Sequence, residues 1–420
     1  MSSQKFQTLH GMFDILPGES EKWNWLETVI RDTAREFHFS EIRTPVMEPT
    51  ELIARGIGQL TDIVSKEMFG FSRGETNYVL RPEGTAPVAR AFVQHRLDQR
   101  GGAQKLFYIG PMFRAERPQK GRQRQFHQFG AELMGTDSPL ADVEIIRFMM
   151  RVYEKIGLTN VTLMLNSVGD PESRAAYKSA LQDYFRPHLS ELSDISRTRF
   201  EQNPMRILDS KEAEDQAFIE KAPLITDFLN DACRAHFEEV KALLTHEGIA
   251  FTENPRLVRG LDYYTKTAFE LVSPDVGSQD ALGGGGRYDL LIEEIGGAHT
   301  PAVGFACGME RMLLACEALG IQPGGERPLD VYLVCRGTEA QHWAMHAMPA
   351  IRKTGLSCTM DFSGKSIKAQ LKDANRQQAR FALIIGEQEL ADQKFTFRDM
   401  HESTENSLGF PEILSRLSGN

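Results

Sequence analysis

No stretch of the chain approaches the ~20 consecutive apolar residues that a membrane-spanning helix needs, and the opening MSSQKFQTLHGMFDILPGES holds no apolar core of the signal-peptide kind. Neither a bilayer span nor export is expected. Cysteine is scarce: Cys233, Cys307, Cys316, Cys335 and Cys358 never fall into a C-x-x-C pair or any zinc spacing. The reading is a reducing cytoplasm with no disulfide framework and no structural zinc. Positive charge is in deficit, 48 Lys and Arg against 58 Asp and Glu, for a formal net charge of −10. That argues against a nonspecific nucleic-acid binder but leaves room for a local basic surface. Tandem repeats and low-complexity tracts are missing, and so is a G-x-G-x-x-G run opening a helix. A dinucleotide-binding fold therefore gains no support.

What is present is 420 residues, too many for one ordinary core, so two or three domains are expected. In ESEKWNWLETVIRDTAREFHF, Trp23, Leu26, Ile30, Ala34 and Phe37 recur at helical spacing and predict a helix with one buried face. Pro45 and Pro49 in SEIRTPVMEPTELIARGIGQ break any continuous helix and predict an extended segment leading into a second one. Residues 105–134 read as two strands joined by a basic loop with Arg117, Lys120, Arg122 and Arg124. A helix follows from 139, capped by Ser138, opened by Pro139 and stopped by Gly157. Residues 170–250 are charged and mostly helix-patterned, which predicts an inserted helical subdomain. Strands are expected again at 256–271 and onward to 308, and IQPGGERP (321–328) reads as a linker. Beyond it strand and helix alternate, as in a small parallel α/β domain. The predicted division is 1–325, carrying the 170–250 insertion, and 328–420.

Period-2 alternation assigns the faces of the hairpin. Tyr108, Gly110, Met112, Arg114 and Glu116 share one face with Phe126, Gln128, Gly130 and Glu132, while Phe129, Ala131 and Leu133 form an apolar opposite face. From alternation alone, a solvated polar face is the stronger explanation. Three further stretches bear on the choice. LRPEGTAP combines Arg81 and Glu83 with Gly84 and Thr85, where glycine allows close backbone approach to a ligand. GGGGR (283–287), followed by Tyr288, reads as a flexible loop able to fold against a substrate, or as a plain turn. GFACGMERMLLACEAL sets Gly304 and Gly308 on a strand feeding a helix, with Glu310 and Arg311 at the junction.

Together these stretches resemble the signature motifs of class II aminoacyl-tRNA synthetases, and within them the histidyl-tRNA synthetase family. Pro45 in EIRTPVMEP is similar to the motif 1 proline, FRAERPQKGRQRQFHQFGAE to motif 2 and GFACGMERMLL to motif 3, while LRPEGTAP and RLVRGLDYYT resemble elements of the histidine enzymes. No HIGH or KMSKS element of class I enzymes occurs. The resemblance runs from about Gly11 to near residue 398. It implies an α+β catalytic domain on a mixed, largely antiparallel sheet with a helical insertion, and a C-terminal α/β anticodon-binding domain. It also implies that L-histidine and ATP, with Mg²⁺, form histidyl-adenylate, that the histidyl group passes to the 3′ end of tRNA(His), and that the protein is a cytoplasmic homodimer. No metal is expected to be held by the protein alone.

Carried over residue by residue, the resemblance implies that Arg114 and Arg259 are catalytic and bracket the α-phosphate. Phe126 would stack on adenine, Arg311 would lie on the γ-phosphate side, Glu116 would contact adenine or assist Mg²⁺, and Arg122 would join the ATP site. Glu83, Gly84, Thr85, Gln128, Glu132, Tyr263 and Tyr264, with Arg114 and Arg259, are the implied histidine site. For tRNA the candidates are Arg117 and Arg124 in the motif 2 loop, and Lys365, Lys368 and Lys372 in a stretch (352–380) with seven basic and two acidic residues. Two departures from the family pattern stand out: Glu405 where glutamine is common, and Phe13 where a polar residue is usual. Two rivals share the fold: a noncatalytic paralogue serving as regulatory subunit of ATP phosphoribosyltransferase, and a sensor of uncharged tRNA, although no kinase-like segment is present.

Overall fold

A computed structural model describes residues 6–58, 61, 63–119, 121–257, 261–274, 281–321 and 328–418. Arg259, Lys120 and most of the expected linker lie outside the described residues. The chain divides into two compact units, Met1–Gly324 and Gly325–Asn420.

The first unit is built on an eight-stranded sheet in the order Ser40–Glu41, Gln104–Phe113, Gln125–Met134, Ala302–Gly308, Ala281–Arg287, Thr265–Val272, Thr162–Ser167, Phe251–Glu253. Pairing is parallel at the two outermost positions and antiparallel between them. Alternation in the hairpin decides which face is covered. Phe107, Phe129, Ala131 and Leu133 point into a core closed by helices Glu19–Glu36, Pro139–Lys155 and Asp231–His246. Leu26, Ile30 and Ala34 are fully buried there, each large aliphatic side chain contributing roughly 1.5–3 kcal/mol of burial free energy. Ser138 Oγ accepts from Leu140 N at 3.3 Å to start helix Pro139–Lys155, and Gly157, at φ +85, ends it.

Three expectations are revised. The four glycines at 283–286 form no loop but belong to the central strand Ala281–Arg287. A Cβ on Gly285 would sit 2.0 Å from Gly304 O, and one on Gly286 2.4 Å from Thr267 O, so strand packing explains the absence of side chains. The strand expected from 256 begins at Thr265; residues 261–264 precede it as a turn. The inserted helices have a core of their own around Tyr177, Leu181, Phe185, Phe200 and Ile207, pegged by buried Asp215, which accepts from the hydroxyls of Ser193, Ser196 and Ser210. The last helix of the 170–250 stretch, Asp231–His246, does not belong to that core: Phe237, Val240 and Leu244 pack into the main one.

The second unit is a five-stranded sheet in the order Cys358–Met360, Val331–Cys335, Phe381–Ile385, Phe395–Asp399, Glu405–Leu408. Its first three strands are parallel, as βαβ alternation dictates, and the last two are antiparallel, joined by a turn too short for a crossover helix. Helix Ile367–Arg376 is capped by Ser366 and buries Gln370 and Ala374, which leaves Lys368, Lys372 and Arg376 exposed at four-residue intervals. Lys365 is exposed as well but pairs with Asp373 at 2.6 Å.

Candidate active site

The sheet face opposite the helical core borders a cavity of about 1470 Å³. One end of it is set by helix Thr85–Gln94, whose N-terminal amides need acceptors. Glu83 supplies them: Oε2 accepts from Thr85 N at 2.7 Å and Oε1 from Ala86 N at 2.8 Å. Thr85 Oγ1 then donates to Glu132 Oε1 at 2.7 Å, and the Tyr288 hydroxyl donates to Glu132 Oε2. Burial drives the Glu132 carboxyl up to about 8, and it also raises that of Glu83 against the opposing pull of the two amides. Burial raises Tyr108, Tyr263 and Tyr288 above the ordinary phenol range, so they remain hydroxyl donors.

Tyr263 packs at 4.8 Å from Tyr264 and edge-on at 5.6 Å from Tyr288, closing a wall across from the two carboxyls. Gln128 lines the same space, and its Oε1 is buried with no partner among the described residues. An orphaned buried acceptor of this kind calls for a donor from a ligand. Gly84 plays a different part from that expected: a Cβ there would lie 2.3 Å from the Tyr108 ring, so its bareness admits a tyrosine rather than a substrate.

The other end of the cavity is cationic and aromatic. Arg114 Nε donates to Pro82 O at 3.0 Å, its guanidinium lies 5.2 Å from the Phe126 ring centroid, and Nη1 stands 3.9 Å from Glu116 Oε1. Glu116 is also 3.4 Å from Arg122. Arg311, in the first turn of helix Met309–Ala318, donates from Nη1 to Ala281 O at 2.7 Å and projects into the cavity. Burial lowers its pKa, but arginine starts so high that it stays charged. Arg114, Glu116, Arg122, Phe126 and Arg311 thus share one cavity with Glu83, Thr85, Gln128, Tyr263 and Tyr264, while Glu132 is fully buried just behind it, bonded to the lining residues Thr85 and Tyr288. In the motif 2 loop Arg117 and Arg122 are exposed, while Arg124 is half-buried with Nε on Glu116 O at 3.2 Å.

Sequence reasoning missed several lining residues. Tyr288 followed the glycines and was legible only as their neighbour. Arg174, Lys178, Arg206 and Lys211 reach the cavity from the inserted helices, where nothing in the local pattern separates them from surface cations. Among the described residues, no group of three or more His, Cys, Asp or Glu is arranged to hold a metal ion, and no helix is long and apolar enough to cross a membrane.

Comparison with known proteins gives this geometry its context. The histidyl-tRNA synthetase family model matches residues 11–312, and an anticodon-binding-domain model matches 330–420. A histidine–tRNA ligase from Chloroherpeton thalassium is 47% identical, the match covering 98% of this chain and 98% of that one. Apo histidyl-tRNA synthetase of S. aureus superposes with a TM-score of 0.83 at 37% identity, covering 99% of this chain and 100% of the other. A Bacillus halodurans protein described as an ATP phosphoribosyltransferase regulatory subunit/histidyl-tRNA synthetase shares the fold at a TM-score of 0.66 and 22% identity, over 92% of this chain and 99% of its own. With its class II catalytic fold and a C-terminal anticodon-binding domain, the chain belongs to the histidyl-tRNA synthetase family of aminoacyl-tRNA synthetases.

Proposed function

We propose that the protein activates L-histidine with ATP and transfers the histidyl group to the 3′ end of tRNA(His). The observation that carries this reading is a single cavity with the buried Glu83 carboxyl, an orphaned amide oxygen and a tyrosine wall backed by Glu132 at one end, and an arginine–phenylalanine pair with a second arginine at the other. The first end suits a substrate bearing an ammonium group and an imidazole, which presents both a donor and an acceptor nitrogen when neutral. The second suits an adenine ring and a triphosphate.

In the first step a histidine carboxylate oxygen attacks the α-phosphorus, a P–O bond forms, and the bond to the leaving pyrophosphate breaks. No covalent enzyme intermediate is required. The work is to hold two anions together and to neutralise charge growing on the phosphoryl oxygens. Arg114 and Arg259 are assigned to opposite sides of the α-phosphate, Phe126 to adenine, Arg311 to the γ-phosphate side, and Glu116 with Arg122 to the remaining ATP contacts. Glu116 and Glu270, which border the cavity, would help hold the Mg²⁺ implied with ATP, and the ion would offset negative charge on the phosphate oxygens. Glu83, Thr85, Gln128 and Glu132 take the ammonium and its neighbours, and the tyrosines take the imidazole. Such a site rejects analogues lacking the matching nitrogens by as much as ~10⁴- to 10⁵-fold, which makes editing unnecessary.

Arg117 in the motif 2 loop meets the acceptor end, with Arg124 supporting that loop, and the Lys365, Lys368 and Lys372 surface meets the anticodon side. The protein works as a cytoplasmic homodimer. Exposed Phe13, Leu16, Met47 and Leu140 in the first unit supply apolar surface for a second copy, and light scattering should return twice the chain mass. Incubation with tRNA, ATP and labelled histidine should yield acid-precipitable histidyl-tRNA. Binding of histidine with no charging would favour the regulatory-paralogue reading instead, and binding of uncharged tRNA with no charging the sensor reading.

A further inference from the structure

Residues 256–264 carry Arg259 and both tyrosines, and the inserted helices grip this segment at each end. At its start, Arg256 Nη1 donates to Pro223 O at 3.2 Å and Nη2 to Glu220 O at 3.2 Å and to Ala222 O, all at the close of helix Ala213–Lys221 and just beyond it. Tyr177 Oη of helix Pro171–Phe185 donates to the same Pro223 O at 3.0 Å, so insertion and segment share one acceptor. At its end, Arg174 Nη1, from that helix, donates to Asp262 O at 3.2 Å and to Tyr264 O at 3.0 Å. Arg206 Nη2, from the insertion, stands 3.5 Å from Asp262 Oδ1.

Leu257 and Asp262 are also held from the opposite side. Asp262 N donates to Ile57 O at 3.1 Å, and a Cβ on Gly58, which is at φ +101, would meet Asp262 Oδ2 at 2.6 Å. Asn166 Nδ2 fixes Leu257 O at 2.9 Å from the sheet. A tyrosine wall carried on a turn depends on the fixed positions of the carbonyls flanking it, and two of those carbonyls are held by one guanidinium. Both bonds leave one nitrogen, Nη1, of a planar group whose donor directions are fixed, whereas a lysine would supply the charge on a freely rotating ammonium.

We propose that the inserted helices are a positioning element for amino-acid activation: Arg256 anchors the start of the stretch, and Arg174 and Arg206 hold Leu261–Tyr264 in the conformation that binds histidine, in the absence of any tRNA. Arg174 and Arg206 are positioning residues that act through the main chain and carboxylate of the turn, and Asp262 is the acceptor that receives both. The inference rests on the histidine-activating reading given above.

The test is tRNA-free, histidine-dependent pyrophosphate exchange on the full chain, comparing wild type with Arg174→Ala, Arg174→Lys and Arg206→Gln. Losing hydrogen bonds from a charged donor should raise the KM for histidine ~10-fold in Arg174→Ala and less in Arg174→Lys, while the KM for ATP stays within ~2-fold. Equal rises in both constants together with a lowered Tm would reduce Arg174 to a structural role, and unchanged constants would separate the insertion from activation; either overturns the proposal. If wild type itself exchanges nothing, the enzymatic reading fails separately. Calorimetric histidine binding by the same variants still decides the positioning claim, since it requires weaker histidine affinity in Arg174→Ala.

Discussion

In the proposed histidine site the chemistry turns on Glu132. Its carboxyl, pushed up to about 8 by burial, holds its proton in the empty site at neutral pH. An incoming ammonium favours the ionised form, so histidine binding should expel a proton between the bound-state pKa and about 8, and affinity should rise as pH climbs through that window. Calorimetry in buffers of different ionisation enthalpy measures the release; Glu132→Gln should show none and bind histidine at least ~10-fold more weakly. The same shift has a folding consequence. Because the folded pKa lies above the ordinary 4.5, the contribution of Glu132 favours the fold below that value and is lost as pH rises through about 8. Glu132→Gln should flatten that part of the stability profile in denaturant titrations. At the other end of the cavity, Arg114→Ala should lower the adenylation rate by ~10²- to 10³-fold in single-turnover measurements while ATP still binds. An unchanged rate would remove Arg114 from the phosphate.

Among the elements, the hairpin was the most legible part of the sequence. Alternation put Phe129, Ala131 and Leu133 in the core and Arg114, Phe126 and Gln128 on the cavity side, and the fold follows it there, although Tyr108 and Met112 of the second face pack into an apolar cluster and Glu132 is buried behind the cavity wall. The strand Ala281–Arg287 was illegible for the converse reason: four glycines carry no side chains to alternate, so the period that marks a strand is erased. Its composition is instead dictated by neighbours. A Cβ on Gly304 would fall 1.7 Å from Glu132 Oε2, and one on Gly285 2.0 Å from Gly304 O. Gly304→Ala and Gly285→Ala should each cost about 1–3 kcal/mol or more in thermal unfolding, and Gly304→Ala should in addition displace Glu132 and weaken histidine binding. The links from Arg174 to Asp262 and Tyr264 were hidden too, because their targets are carbonyls, 88 and 90 residues away. A main-chain acceptor leaves no trace in residue identity.

For the whole molecule, the division into an activating unit and a terminal unit predicts separable steps. A chain ending after residue 325 should retain histidine-dependent exchange and lose most tRNA charging; intact charging would refute the role given to the terminal unit. Within that unit, Lys368→Ala and Lys372→Ala should each lower the salt slope of tRNA binding by about 1. Lys365→Ala should do less, since Asp373 already neutralises Lys365 at 2.6 Å. The basic bias of 352–380 was visible in the sequence, but this pairing was not, because it depends on how the turn before helix Ile367–Arg376 folds back on it.

Every assignment in the first unit presupposes that this cavity joins histidine to the α-phosphate of ATP. Exchange of labelled pyrophosphate into ATP by the purified full chain, without tRNA, tests that directly. The account predicts exchange that requires L-histidine and is abolished by Arg259→Ala with histidine binding largely kept; histidine binding with no exchange in the unaltered protein would contradict it.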